Sequence, residues 1–247
     1  MPPSIPRTTA ILVAAGRSQR LQAADEEGQR TRKPFAVLEG MSVLERVCET
    51  FGRVEAIAEI VIVGHAEDMA RISRMAAGCS ALARVSRIVT GGEQRSDSVA
   101  AGVAAASPES ELIAIHDAAR PLIRAATIER ALEVAAAQGS ALVALPLNDT
   151  VKTSSDGQRS ESTLDRSVLW SAQTPQVFRR AAFQALLERA HKDDFRPTDD
   201  SAIWEKYIGP VPLVRGEASN FKLTSSEDIE IAAAILRARG REKAPGP

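Results

Sequence analysis

Thr8-Thr9-Ala10-Ile11-Leu12-Val13-Ala14-Ala15-Gly16-Arg17-Ser18-Gln19-Arg20 is the stretch whose reading decides the fold. Its apolar run is too short for a helix and does not alternate, so it predicts a strand buried on both faces. The run ends in two alanines and a glycine, and the chain then turns basic. In an open α/β sheet, a buried parallel strand leading into a small-residue loop is where an anionic ligand meets backbone N–H groups. The plainer reading of the same residues is a strand-to-loop turn with solvated arginines. The loop is not a Walker A sequence, because no Gly-Lys-Ser/Thr follows, and it lacks the Gly-x-Gly-x-x-Gly dinucleotide fingerprint.

Outward from this stretch, strands and helices alternate. Ser42-Val43-Leu44-Glu45 reads as a capping box opening a helix to about Phe51. Strands are expected over 59–64, 84–89, 112–115 and 141–145, and helices over 67–77, 99–106 and 127–138. This alternation predicts a parallel, doubly wound sheet. The helix after Thr90-Gly91-Gly92 should start near Ser96 or Asp97. The polar segment 22–32 reads as a mobile loop. After Asn148 the pattern changes. Thr150–Thr153 alternates, Asp156-Gly157 signals a hairpin, and the returning strand carries little apolar content. Such a hairpin cannot bury a face in the core, so it should project and is free to pair with another chain. Beyond it, a strand is expected over 168–172, helices over 180–190 and 202–207, and a strand over 211–214. The final helix uses Ile229, Ile231, Ala232 and Leu236 as its apolar positions.

The 247 residues carry a net charge of −1, which argues against a broad nucleic-acid-binding surface and leaves room only for local cationic clusters. Cys48 and Cys79 show no metal spacing and read as reduced thiols in helices. No apolar stretch reaches the length of a membrane span, and the first residues lack a signal peptide's pattern, so a cytoplasmic protein is expected. The histidines are dispersed, with no HExxH and no Gly-x-Ser-x-Gly elbow.

The polar residues at strand ends are instead Arg, Lys, Asp and Gly, which suit phosphoryl-type chemistry, a matter of positioning and charge stabilisation. Gly91-Gly92 signals close backbone approach, or simply a tight turn. Asp117, at the end of the strand 112–115, suits Mg²⁺, which takes one or two protein carboxylates and fills its other positions with phosphate and water oxygens; a lone Asp there is equally a loop cap. Lys33 is a phosphate ligand or a solvated lysine.

The ordered set Ala14-Ala15-Gly16, Arg20, Lys33, Gly91-Gly92, Arg95-x-Asp97-Ser98, His116-Asp117-Ala118-Ala119-Arg120-Pro121, Asp149-Thr150-x-Lys152, Gln173-Thr174-Pro175-Gln176, Thr198-Asp199 and Asn220-x-Lys222-x-Thr224 resembles the 2-C-methyl-D-erythritol 4-phosphate cytidylyltransferases of the non-mevalonate isoprenoid pathway. The resemblance runs from Thr9 to about Leu236. It implies a Rossmann-like nucleotidyltransferase with a mostly parallel sheet, in one domain over 1–240. A β-hairpin arm spans about 148–167, a polar tail spans 241–247, and two copies associate through the arm. It implies CMP transfer from CTP to methylerythritol phosphate with Mg²⁺ or another divalent cation. Carried over position by position, Arg20 and Lys33 stabilise charge on the α-phosphate, and Asp117 holds the metal. Ala14, Ala15, Gly16, Gly92, Glu93, Ser98 and Ala118 form the nucleotide pocket. Thr150, Arg166, Thr198, Lys222 and Arg120 hold the acceptor, with Arg166 and Lys222 counted as catalytic beside Arg20 and Lys33, and Arg166 supplied by the partner's arm. The chain departs from the pattern at Ser18, Pro34 and Glu93 and in a longer stretch between Arg20 and Lys33. Ribitol-5-phosphate cytidylyltransferases share most of these motifs and are the alternative, with a non-catalytic nucleotide-binding module as a further one. The same pathway also offers a fusion partner, the cyclodiphosphate synthase.

Overall fold

The computed structural model describes residues 5–16, 23–24 and 30–243. Its frame is a seven-stranded sheet. In chain order the strands are β1 (Thr8–Val13), β2 (Ile57–Gly64), β3 (Val85–Thr90), β4 (Leu112–Asp117), β5 (Ser140–Pro146), the arm strands β6 (Lys152–Thr153) and β7 (Ser162–Thr163), β8 (Trp170–Arg179) and β9 (Leu213–Arg215). The helices are α1 (Val43–Gly52), α2 (Met69–Gly78), α3 (Arg95–Ala105), α4 (Ala125–Gln138), α5 (Arg180–Lys192), α6 (Ser201–Tyr207) and α7 (Ser226–Lys243). Across the sheet the order is β9-β5-β8-β4-β1-β2-β3. β8 runs antiparallel to both β4 and β5, and the remaining strands of the sheet run the same way.

The apolar run at β1 is continuous because both its faces are covered. Ala10 and Leu12 pack with α1 and α4 through Leu44, Phe51, Ile128 and Leu132. Ile11 points the other way, into Val99 and Val103 of α3 and Phe183 of α5. A third, smaller cluster joins Ala232 of α7 to Leu38, Val43 and Leu122. The expected mostly parallel, doubly wound sheet is therefore present, and the chain reverses its winding direction between β1 and β4, where an open sheet forms its ligand crevice.

Several local expectations are corrected. Residues 168–172 are not a strand of their own: Val168 closes a 3₁₀ turn (Arg166–Val168), and β8 runs straight through Pro175. A proline is tolerated there because the pairing with β5 is irregular between Ala172 and Gln176, which leaves the ladder without a bond at that point. α3 starts at Arg95, with Gln94 as its cap, rather than at Val99; Asp97 lies inside the first turn and accepts from the Gln94 N–H at 3.1 Å. Cys79 lies just beyond α2 in extended conformation, not in a helix. Ile231 is 51% exposed, so it is not a buried position of α7. In the segment read as a mobile loop, Ala23–Ala24 pairs antiparallel with Arg30–Thr31. The hairpin is present, but its strands are only Lys152–Thr153 and Ser162–Thr163. The Ser42–Glu45 capping box forms as expected.

Candidate active site

The carboxyl ends of β1, β2, β3 and β4 open on one cleft of about 650 Å³. Its stems are stitched where the strands end. Ala14 N–H donates to Val63 O at 2.8 Å, Gly91 N–H to Gly64 O at 2.8 Å and Ala118 N–H to Val13 O at 3.0 Å. A Cβ on Gly91 would lie 2.4 Å from the Ala15 side chain, and one on Gly92 would lie 2.3 Å from Asp97. The close approach signalled by the glycine pair is thus first of all loop against loop. Among the described residues a Cβ on Gly16 would meet nothing within 4 Å, and Gly16 lines the cleft. Ser98, in the first turn of α3, accepts from the Gly92 N–H at 3.2 Å and fixes that loop.

The charged heart of the cleft is Asp117. Its side chain is only 10% exposed and meets three cations from three segments. Arg95 Nε of α3 donates to Oδ1 at 3.2 Å, Lys222 Nζ donates to Oδ2 at 2.9 Å, and Arg120 Nε stands 3.7 Å from Oδ2. Burial works to raise the Asp117 carboxyl, but Arg95, Lys222 and Arg120 outweigh it and hold the group well below the ordinary aspartate range. Arg95 also forms a two-pronged pair with Asp200, at 2.9 and 2.8 Å. Burial works against its charge, and the two carboxylates reverse that and raise its pKa. Asp200 is fully buried, and burial raises its pKa against the pull of Arg95.

Backbone position is fixed from behind. Thr174 Oγ1 accepts from the Asp117 N–H at 3.1 Å and meets His116 Nδ1 at 2.9 Å, while His116 Nε2 faces Arg120 O at 3.1 Å. The carbonyl partner requires Nε2 to carry the proton, so Nδ1 accepts from Thr174. Burial lowers the His116 pKa to about 4, which keeps the ring neutral for this role. Asn220 donates to Gln173 Oε1 at 3.1 Å and Thr174 O at 2.9 Å, and Leu223 N–H donates to Ala119 O at 2.8 Å; together they anchor the segment that carries Lys222.

Of the residues singled out in the sequence, Ala14, Ala15, Gly16, Lys33, Gly92, Glu93, Ser98, Asp117, Ala118 and Lys222 all line this cleft. Arg120 is adjacent but does not line it; its guanidinium donates to Asn220 O at 2.9 Å. Thr150 and Thr198 are exposed, and Arg166, at the base of the arm, donates to Asn148 O. None of these three lines the cleft of its own chain. Arg20 lies outside the described residues. The sequence motifs contain Arg95 without a role and leave out Asp200, which stands next to Thr198-Asp199. The pair was invisible because its members are 105 residues apart, although an Arg in a strand-end loop and a doubled Asp were both on view.

Comparison with known proteins places this architecture. Residues 8–238 match the family model IspD, 2-C-methyl-D-erythritol 4-phosphate cytidylyltransferase. The chain is 36% identical to the 2-C-methyl-D-erythritol 4-phosphate cytidylyltransferase of Solibacter usitatus, covering 94% of this chain and 96% of that one. It is 40% identical to the bifunctional enzyme IspD/IspF of Anaeromyxobacter dehalogenans, over 94% of this chain but 58% of that protein, so it spans little more than half of such a relative. The 4-diphosphocytidyl-2C-methyl-D-erythritol synthase of Anaerococcus prevotii superposes with a TM-score of 0.78 at 30% identity, covering 93% of this chain and 96% of that one. With the cleft at the switch point of its sheet and the match over nearly its whole length, the chain belongs to the 2-C-methyl-D-erythritol 4-phosphate cytidylyltransferase family.

Proposed function

We propose that this chain transfers a cytidylyl group from CTP to 2-C-methyl-D-erythritol 4-phosphate and releases pyrophosphate in the cleft around Asp117. The observation that carries the reading is Asp117 at the end of β4, set between Arg95 and Lys222 on a cleft edged by the backbone of Ala14, Ala15, Gly16 and Gly92. The acceptor phosphate, with a second pKa of about 6, is already mostly a dianion at neutral pH and needs no strong base. One of its oxygens bonds to the α-phosphorus of CTP. The bond from that phosphorus to the bridging oxygen breaks, and pyrophosphate leaves with the electron pair. The protein's task is to let two anions meet, and Lys33, Arg95 and Lys222 border one volume for it. Arg20 joins them by family resemblance. Cytosine fits the backbone-lined part of the cleft, near Gly92, Glu93, Ser98 and Ala118. Carbonyl acceptors there would pair with its amino group and leave an unpaired partner if uracil entered.

A divalent cation fits Asp117. The described residues contain no group of three or more His, Cys, Asp or Glu that could form a protein cage, and one carboxylate beside a polyphosphate is what Mg²⁺ asks for. When bound, it supplies neutralisation of triphosphate charge. Lys222 and Arg95 reach the two Asp117 oxygens and keep that carboxylate ionised.

Two copies complete the acceptor site in this reading. Leu164, Val168 and Trp170 are 42%, 72% and 42% exposed at the base of an arm held by only two residue pairs. Such apolar surface beside an otherwise polar hairpin suits a second chain. Thr150 and Arg166 lie on the same arm, where they would serve the partner's cleft. Among the described residues no helix is long and apolar enough to cross a membrane.

Pyrophosphate release with CTP and Mg²⁺ tests the reaction. Release is expected with methylerythritol 4-phosphate and not with ribitol 5-phosphate; release with ribitol 5-phosphate alone would reassign the acceptor, and release with neither would reject the activity. For the arm, a chain lacking residues 154–162 should sediment as a smaller species. An unchanged sedimentation coefficient per mass would remove the arm tip from the association.

A further inference from the structure

Lys33 enters the cleft from a short turn whose flanks are both tied to one neighbouring element. The turn is Lys33–Phe35, closed by Phe35 N–H to Arg32 O at 3.0 Å and Ala36 N–H to Lys33 O at 3.2 Å. Pro34 is buried at the cleft wall beside Lys33, Phe35 is buried behind it, and the Arg71 guanidinium of α2 lies 4.3 Å from the centre of the Phe35 ring. Just before the turn, Arg32 ion-pairs with Glu67 and, at 3.3 Å, with Asp68. Those two carboxylates follow directly on His65 and Ala66, which line the cleft where β2 ends. Asp68 is 13% exposed and Arg32 27%, so this contact is partly withdrawn from solvent screening, unlike an ordinary surface pair.

The stretch 30–33 offers three cations, Arg30, Arg32 and Lys33, and anion chemistry alone does not choose among them. The carboxylates do. Glu67 and Asp68 both engage the Arg32 guanidinium, so that cation is already committed to carboxylates. Lys33 lines the cleft wall. We propose that Arg32 is a positioning residue, which with Glu67 and Asp68 clamps the 33–35 turn and keeps Lys33 on the wall of the reaction cleft. The proposal rests on the reading of Lys33 as a phosphate-facing group. A long flexible lysine gains from a fixed backbone, because misplacing a catalytic group by an ångström costs much of its effect.

The experiment compares Arg32→Gln, the double variant Glu67→Gln/Asp68→Asn, the triple combination and Lys33→Ala. Turnover, the KM for CTP and amide hydrogen exchange at Phe35 and Ala36 are read in each. Arg32→Gln and the carboxylate double variant should each lower kcat about five-fold with little change in the KM for CTP. Both should speed exchange at Phe35 and Ala36, and the triple variant should be no worse than either, since all three side chains act as one unit. The proposal is overturned if Arg32→Gln raises the KM for CTP while the carboxylate variant lowers it, because Arg32 would then be a phosphate ligand held back by acids. Wild-type turnover and exchange in both variants overturns it too. A fully active Lys33→Ala protein would refute the reading of Lys33 itself, and the exchange data would still decide whether the clamp exists.

Discussion

Two buried carboxylates sit at opposite ends of this parallel sheet, Glu59 near the amino end of β2 and Asp117 at the carboxyl end of β4, and the chain satisfies them by different means. Glu59 takes short, fixed donors: Thr9 Oγ1 at 2.7 Å and Ser107 N–H at 2.6 Å on one oxygen, and Ser86 Oγ at 2.8 Å on the other. All three donors belong to neighbouring strands or the loop entering β4, and none can leave without unfolding something. Asp117 instead takes cations at the tips of long side chains, from α3, from the 118–122 turn and from the segment after β9. Those tips can swing to another anion while their backbones stay put. A carboxylate that serves the fold is bound by neutral groups of fixed place. Asp117, which in the proposed reaction accepts a metal and gives up its partners, is bound by exchangeable charge.

The sharpest way to break this contrast is Asp117→Asn. In the proposed reaction it should lower kcat/KM on the order of 100-fold or more and blunt the dependence on Mg²⁺. Thermal stability should fall by a smaller margin, because Arg95 keeps its two-pronged pair with Asp200 and Lys222, 43% exposed, regains water, which leaves Arg120 as the mostly buried cation that loses its carboxylate. A large drop in melting temperature with activity lost only in proportion would make Asp117 a structural group like Glu59, and the contrast would collapse.

How far the sequence reveals these two ends differs for physical reasons. β1 and its loop are legible because burial on both faces leaves a continuous apolar run, and Asp117 because a strand end in a parallel sheet is a ligand position wherever it falls. The capping box of α1 is equally local. β8 is not legible: Pro175 interrupts the pattern, and only the pairing with β4 and β5 explains why the chain continues as strand. Arg95 with Asp200 and Arg32 with Glu67 and Asp68 depend on contacts between distant segments, which no local period encodes. Glu59 belongs to the same class. A glutamate opening a strand reads as a surface residue until the fold surrounds it with hydroxyls.

Glu59 therefore provides the complementary prediction. Glu59→Ala leaves the Ser107 N–H without its acceptor, the Thr9 hydroxyl with only Ser110 Oγ at 2.8 Å and the Ser86 hydroxyl with only the Ile60 carbonyl at 3.5 Å, which should cost about 2 kcal/mol of stability in urea unfolding while kcat at a permissive temperature stays near wild type. A loss of turnover without a loss of stability would contradict the structural assignment. The milder Glu59→Gln keeps the shape and one acceptor, and should cost only about 1 kcal/mol. Its signature lies in the pH dependence. Burial pushes the Glu59 carboxyl up, but the bonds from Thr9, Ser107 and Ser86, with a smaller pull from the Arg87 charge, outweigh it and hold the group below the ordinary value of 4.5. A carboxyl whose pKa is depressed by folding stabilises the fold above its unfolded pKa and loses that contribution as pH falls through the folded value. The stabilities of the wild type and Glu59→Gln should thus differ at neutral pH and converge as the pH falls from 4.5 through the lowered folded value. Curves that stayed parallel on acidification would mean that the charge on Glu59 contributes nothing, and that any oxygen of the right shape serves at the amino end of the sheet.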